Sequence, residues 1–260
     1  MTWDLPIGSR EQWAGDYERG RPGWPAEIVG TLDLPASATV LDLAAGTGKL
    51  TRVLLSAFPR VIAVEPQEAS RRVLAAQYPE ADALDGTAER IPVASASVDA
   101  VFVAQAFHWF GNAEALAEIA RVLRPRGVLV LLWNVPAGPW QPSIATVEDF
   151  LLPRAPDEAM TGVDPLDLSR RHASGEWRDA FQGAPFAELR EARLPNPQTL
   201  DREGLVAYFA SMSWIADLPD ADRLDLLDNV RSLLGDHDYR RKWETVVYWT
   251  RLAGGHETKD

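Results

Sequence analysis

Residues 40–50 read VLDLAAGTGKL. An apolar run interrupted once by Asp42 stops at a turn carrying Gly46 and Gly48, and Leu50 opens a stretch with apolar residues at helical spacing. The same rhythm continues downstream. Residues 60–64 (RVIAV) form a second buried-strand run that stops at Glu65-Pro66, and 68–78 has the spacing of a helix. A weaker strand is predicted at 81–85 and a strand at 98–104 (VDAVFVA). A helix follows at 113–123, and a strong strand at 127–133 (GVLVLLW) comes after the turn Arg124-Pro125-Arg126-Gly127. Short apolar runs alternating with amphipathic helices require βαβ units and a parallel sheet covered on both faces. The fold class is α/β.

Outside this region the pattern changes. Residues 1–37 mix Trp, Pro, Gly and charge, with helices expected near 9–17 and 25–32. Beyond Asn134 the alternation fails: 136–185 is rich in Pro, Asp and Arg, with helical patches at 142–152 and 176–181. A strand fits 186–194, helices fit 202–212 and 220–234, and 243–250 (WETVVYWT) alternates like a late strand. We expect a single domain with an N-terminal arm over 1–37, a core over 38–135, helical insertions over 136–185 and 200–236, and closing strands over 186–194 and 242–252. The arm and insertions are expected to cover the ligand edge of the sheet as a lid.

Composition narrows the partners. Twenty-six Lys and Arg against 38 Asp and Glu leave a net charge of −12. Such a surface repels phosphodiester backbones and anionic lipid, so neither nucleic acid nor membrane is an expected partner. The absence of cysteine excludes disulfides, thiolate zinc sites and Cys nucleophiles together. No apolar run approaches the roughly 18 residues of a membrane span, and MTWDLPIGSREQW lacks the apolar core of a secretion signal, so a cytoplasmic location is expected. His and carboxylates do not cluster at ligand spacing, and no metal is expected. Ten Trp against five Tyr suit either a large core or a cavity for something flat or cationic.

In open α/β sheets ligands lie beyond the carboxyl ends of the strands. Gly46 and Gly48 allow backbone to approach a ligand there and tolerate positive φ. Glu65 ends the next strand, 19 residues after Gly46, placed to accept hydrogen bonds from both hydroxyls of a ribose. A dinucleotide fingerprint would require G-x-G-x-x-G, but starting at Gly46 the third position is Thr51. Asp42 lies two residues before the turn, where a pyrophosphate would be repelled. The ligand implied is an adenosine compound without phosphates and with a cationic end, properties that S-adenosylmethionine has.

Four motifs in order now carry a family resemblance. VLDLAAGTGKL, the Glu65-Pro66 pair, GTAERIPVASASVDAVFVAQAFHWF and ALAEIARVLRPRGVLVLLWN resemble the class I S-adenosylmethionine-dependent methyltransferases. The similarity is to the type 11 group that includes trans-aconitate-type and quinone-biosynthesis-type enzymes. It spans about residues 15–135. It implies a Rossmann-like seven-stranded sheet of order 3-2-1-4-5-7-6 with strand 7 antiparallel, the late strand at 243–250 taking that place. It also implies that Ala44, Gly46 and Gly48 line the methionine part, Asp42 meets the ammonium and Glu65, with Pro66, holds the ribose. Thr87 and Ala88 would face the adenine, where relatives carry Asp-Ala. Gln105 and Ala106 would sit beside the methionine portion, and S-adenosylhomocysteine would be the product.

The acceptor is expected to be a small molecule. His108 is the candidate proton acceptor, since its reference pKa lies near neutrality, with Trp109 beside it. Tyr17 and Arg21, in a Y-x-x-x-R-P stretch, are expected near the methionine carboxylate or an acidic acceptor, and Trp140, Trp177 and Trp214 are candidate walls of an apolar cavity. His172, His237 and His256 are expected at the surface. Two other readings stay open: a protein that binds S-adenosylmethionine without transferring its methyl, and an NAD(P)-dependent oxidoreductase.

Overall fold

A computed structural model describes residues 7–138, 144–155 and 172–253. Its centre is a run of parallel strands, β1 (Thr39–Leu43), β2 (Arg60–Val64), β3 (Asp82–Leu84), β4 (Val98–Ala104) and β5 (Leu123–Pro136), of which β1, β2, β4 and β5 are largely buried and β3 is partly exposed. Near-continuous Val, Leu and Ile suit strands covered on both faces. Leu41 of β1 sits opposite Ile62 on one side and Val101 on the other, which makes β1 an interior strand of the sheet. Two later strands, β6 (Arg190–Pro195) and β9 (Trp243–Arg251), complete the order β3-β2-β1-β4-β5-β9-β6. This is the expected 3-2-1-4-5-7-6 arrangement, with β9 in the place of strand 7 and one strand antiparallel. Phe186 bridges Leu252 in antiparallel sense just beyond these two strands. A separate two-stranded ribbon joins β7 (Gln198–Leu200) to β8 (Tyr239–Arg241).

Helices connect the parallel strands. α1 (Ile7–Gly20) and α2 (Glu27–Gly30) precede the sheet, and α3 (Lys49–Leu55) and α4 (Glu68–Gln77) follow β1 and β2. After β4 come the single turn α5 (Phe107–Phe110) and α6 (Ala113–Val122). α6 starts where Asn112 accepts the Ala115 N–H at 2.9 Å, an N-cap of the preferred residue type. Later helices are α7 (Ala145–Leu151), α8 (Arg202–Ala210), α9 (Ser213–Ala216) and α10 (Asp220–Leu233), with a 3-10 segment at Glu176–Phe181. Asp201 caps α8 by accepting from Gly204 N–H at 2.6 Å.

The chain divides into two compact units. One contains the seven-stranded sheet and takes its described residues from Trp24–Asn134, Arg171–Leu194 and Thr245–Asp260; the other draws on Met1–Gly23, Val135–Arg170 and Pro195–Glu244. Each has its own core. In the sheet unit Val40, Leu54, Val61, Phe102, Val130 and Val247 pack together. In the helical unit Val147, Leu205, Phe209, Ile215 and Val230 do so. The N-terminal arm splits between Gly23 and Trp24, and residues 172–185, expected within an insertion, belong with the sheet.

Two further differences have local causes. The Arg124-Pro125-Arg126-Gly127 turn lies inside β5 as a bulge: Val98 pairs with Leu123, but Ala100 pairs with Val128, and Arg126 takes φ +64° to absorb the extra residues. His172, expected at the surface, is buried and shares a hydrogen bond with the Tyr248 hydroxyl at 3.1 Å. Its ring lies 5.1 Å from that of Trp133, and burial holds its pKa down to about 4. A run of Asp, Arg and Pro conceals the contact because its partners are 39 and 76 positions away in the chain. His237 is exposed over the Tyr239 ring, and His256 lies outside the described residues.

Candidate active site

Parallel strands put their carboxyl ends at one edge, so the loops after β1, β2, β3 and β4 converge there. The loop after β1 turns back through three positive φ angles: Ala44 at +58°, Gly46 at +57° and Gly48 at +94°. Gly46 borders open space: a Cβ built on it meets nothing within 4 Å. Gly48 serves packing, because a Cβ there would come within 2.7 Å of the Tyr78 ring. Ala44 adopts the left-handed conformation despite its methyl group, at a cost of about 1 kcal/mol.

Glu65 braces this loop. Its Oε2 accepts Gly46 N–H and its Oε1 accepts Gln67 N–H, each at 2.8 Å. The carboxylate is therefore a strut between two loops, and each oxygen keeps a second lone pair. Burial raises its pKa, opposed by those two N–H groups. Arg71 on α4 fixes the same loop from below, donating to the Glu65 carbonyl at 2.6 Å and pairing with Asp85 at 3.1 Å. Pro66 is exposed, and its carbonyl accepts from Arg71 at 3.2 Å.

Asp42 is buried beneath the loop. Its Oδ2 accepts from the Thr51 hydroxyl at 2.7 Å, while its Oδ1 is buried with no hydrogen-bond partner. Burial is the main cause that pushes its pKa up to about 7, with the nearby Glu65 charge adding to it and Thr51 opposing. Among the described residues no Lys or Arg side chain bonds either carboxylate. Two buried acids side by side, with the Glu65 charge adding to the cost of ionising Asp42, make an arrangement that a cation could complete. The sequence showed Thr51 only as a missing glycine. Its hydroxyl lies one helical turn into α3, facing Asp42, and neither it nor Arg71 carries a local signature.

The remaining loops supply backbone and aromatics. Thr87 and Arg90 close a small turn with Ala88 at its tip; Thr87 is exposed and Ala88 buried. Gln105, at the end of β4, takes φ +52°, and Ala106 follows it into α5. His108 stacks on Trp109 with ring centroids 4.8 Å apart, and Trp109 is 50% exposed.

The other expected residues have the following surroundings. Trp177 is buried in the sheet unit, 4.9 Å from the rings of both Trp133 and Tyr248, so its surface is spent on packing. Arg21 belongs to the helical unit, where its Nε donates to the Ser211 hydroxyl at 2.7 Å and its guanidinium lies 4.9 Å from the Tyr208 ring. Tyr17 packs against Trp13, with burial raising its pKa. Trp214 packs on the helical core and lines a groove of about 410 Å³ with Phe150, Leu218 and Asp222. Trp140 lies outside the described residues.

Comparisons with known proteins bear on this arrangement. Residues 41–131 match the family described as "Methyltransferase domain". An uncharacterized methyltransferase of Mycobacterium tuberculosis strain H37Rv is 40% identical over 225 residues, covering 86% of this chain and 84% of the relative. An uncharacterized methyltransferase-like protein of Schizosaccharomyces pombe is 34% identical over 230 residues, with the same coverage of 86% and 84%. Among solved structures, a putative type II methyltransferase from Anaeromyxobacter dehalogenans superposes with a TM-score of 0.64 at 24% identity. It covers 90% of this chain and 99% of its own.

Proposed function

Since the chain belongs to the class I S-adenosylmethionine-dependent methyltransferases, we propose that its acceptor is a small molecule methylated on oxygen or nitrogen. The residues at the sheet edge suit the cofactor. Asp42 offers a buried, unpartnered carboxylate oxygen, Gly46 leaves open the space a side chain would fill, and Glu65 keeps lone pairs free. The unpartnered Asp42 oxygen is the observation that carries the reading, because a buried carboxyl group whose ionisation burial opposes is met best by a cation such as the ammonium of an amino acid.

When bound, S-adenosylmethionine supplies a methyl group already activated on a sulfonium, so transfer is an in-line displacement. The chain then has to bind, orient and exclude water. Asp42 would hold the ammonium, Glu65 the ribose hydroxyls, and the backbone around Ala88 the adenine, with Ala44, Gly48 and Ala106 shaping the walls. His108 would take the proton released by an O–H or N–H acceptor, and the exposed face of Trp109 would carry the acceptor's apolar part. The net charge of −12 favours a small acceptor over RNA, which needs a basic track.

The test joins binding to transfer. Calorimetry should show S-adenosylmethionine and S-adenosylhomocysteine binding to the purified protein. Label from the methyl group should then appear in fractions of a small-molecule extract and not in RNA or protein. His108→Ala should lower the turnover of the acceptor so found by about 100-fold while S-adenosylhomocysteine affinity stays within about twofold. Label appearing only in RNA or protein would overturn the acceptor class. Full activity in the His108 variant would remove that residue as the base.

A further inference from the structure

Gln105 is a side chain whose conformation the proposed chemistry leaves unexplained. Its backbone N–H donates to Leu132 O at 2.9 Å, and its side-chain Nε2 donates to Asn134 O at 3.1 Å. These are alternate carbonyls along β5, so the side-chain amide continues the ladder where the backbone of β4 turns away at φ +52°. A carbonyl can only accept, so the amide nitrogen must face β5 and the amide oxygen must face the other way. That oxygen, Oε1, is buried and has no hydrogen-bond partner. Leaving an acceptor buried and unpaired is costly unless a ligand donor meets it.

The support for this arrangement comes from two residues behind it. Asn134 is buried at the end of β5, and its Oδ1 accepts from the Thr245 hydroxyl at 2.6 Å. Thr245 is fully buried near the start of β9, the strand beside β5. The Thr245–Asn134 bond pins the last residues of β5 to β9, and the Asn134 carbonyl in turn holds Gln105. Three neighbouring strand ends are thus tied to one outward-facing oxygen.

We propose that Asn134 and Thr245 are positioning residues that aim the Gln105 side-chain oxygen at the ammonium of S-adenosylmethionine. The proposal rests on the cofactor reading above and extends it to two residues that touch no ligand. It supplies a second acceptor for a group that has several N–H donors, the first being Asp42.

Two nucleosides separate this role from simple packing. S-Adenosylhomocysteine carries the ammonium, and 5′-methylthioadenosine lacks the whole amino-acid end. Gln105→Met keeps the length of the side chain and removes its oxygen, and it should weaken S-adenosylhomocysteine about tenfold by calorimetry. Thr245→Val keeps the shape and removes the hydroxyl, and it should weaken the same ligand about fivefold, with Thr245→Ser restoring affinity. The affinity of 5′-methylthioadenosine should stay within about twofold in all three variants. If Thr245→Val fails to fold, Thr245→Ala carries the same comparison. Equal losses for both nucleosides, or no loss for S-adenosylhomocysteine in the Thr245 variant, would overturn the proposal. A wild-type protein that binds neither nucleoside would instead overturn the cofactor reading beneath it.

Discussion

Asp42 shows how far burial can change one residue. Its carboxyl holds its proton up to about pH 7 in the folded chain, whereas an unfolded aspartate ionises near 3.8. Below 3.8 both states are protonated and the residue contributes no difference. Between about 4 and 7 the folded state binds a proton that the unfolded state has lost, so stability falls as pH rises, then levels off. Melting curves from pH 4.5 to 7.5 should therefore flatten in Asp42→Asn relative to wild type. Parallel curves would mean that Asp42 titrates normally. Glu65 has two tasks, and its variants should divide them. Glu65→Ala strands the Gly46 and Gln67 N–H groups and should cost about 3 kcal/mol in denaturant unfolding as well as most of the nucleoside affinity. Glu65→Gln keeps one carbonyl acceptor and should cost about half as much.

Helix packing gives a sharper test at the next scale. α1 and α8 approach so closely that a Cβ on Gly20 would lie 2.2 Å from the Tyr208 nitrogen and 2.4 Å from its Cα. Backbone cannot yield as a flexible side chain can, so Gly20→Ala should destabilise by roughly 3 kcal/mol. Gly15, in the same helix, has nothing within 4 Å of such a Cβ and is exposed. Gly15→Ala should instead stabilise by about 0.5–1 kcal/mol, because alanine loses less chain entropy in a helix. Guanidinium unfolding of the two variants measures both, and matching effects would refute the packing account. The contact also explains α8, where Leu205, Val206, Tyr208 and Phe209 are buried on all sides and no amphipathic stripe marks the helix. Sequence periodicity placed this helix but gave no sign of what it packs against.

At the scale of the whole molecule, every residue proposed to hold the nucleoside belongs to the sheet unit. A ligand that binds only the folded state stabilises it by about 2.7 kcal/mol at 100 times its Kd. S-Adenosylhomocysteine at that level should raise the melting temperature by several degrees, and hydrogen exchange should slow at the amides of 44–48, 65, 67 and 105–106. Stabilisation without protection at these amides would place the ligand elsewhere.

The parallel sheet and the Gly46–Glu65 pair could be read from the residues because each depends on local patterns, unbroken apolar runs, turn glycines and a fixed spacing, whereas the strand order came only from the resemblance that the four motifs carry. Tertiary structure alone decided that Asp42 would be left with a bare oxygen, that Thr51 would bond it, and that Thr245 would reach Asn134 from 111 positions away. It also took His172 and Trp177 into an aromatic core and gave Arg21 to Ser211, 190 residues distant. Periodicity records which face of an element is buried. Which side chain from a distant segment meets it, and which polar atom is left without a partner, is set only when those segments are packed together.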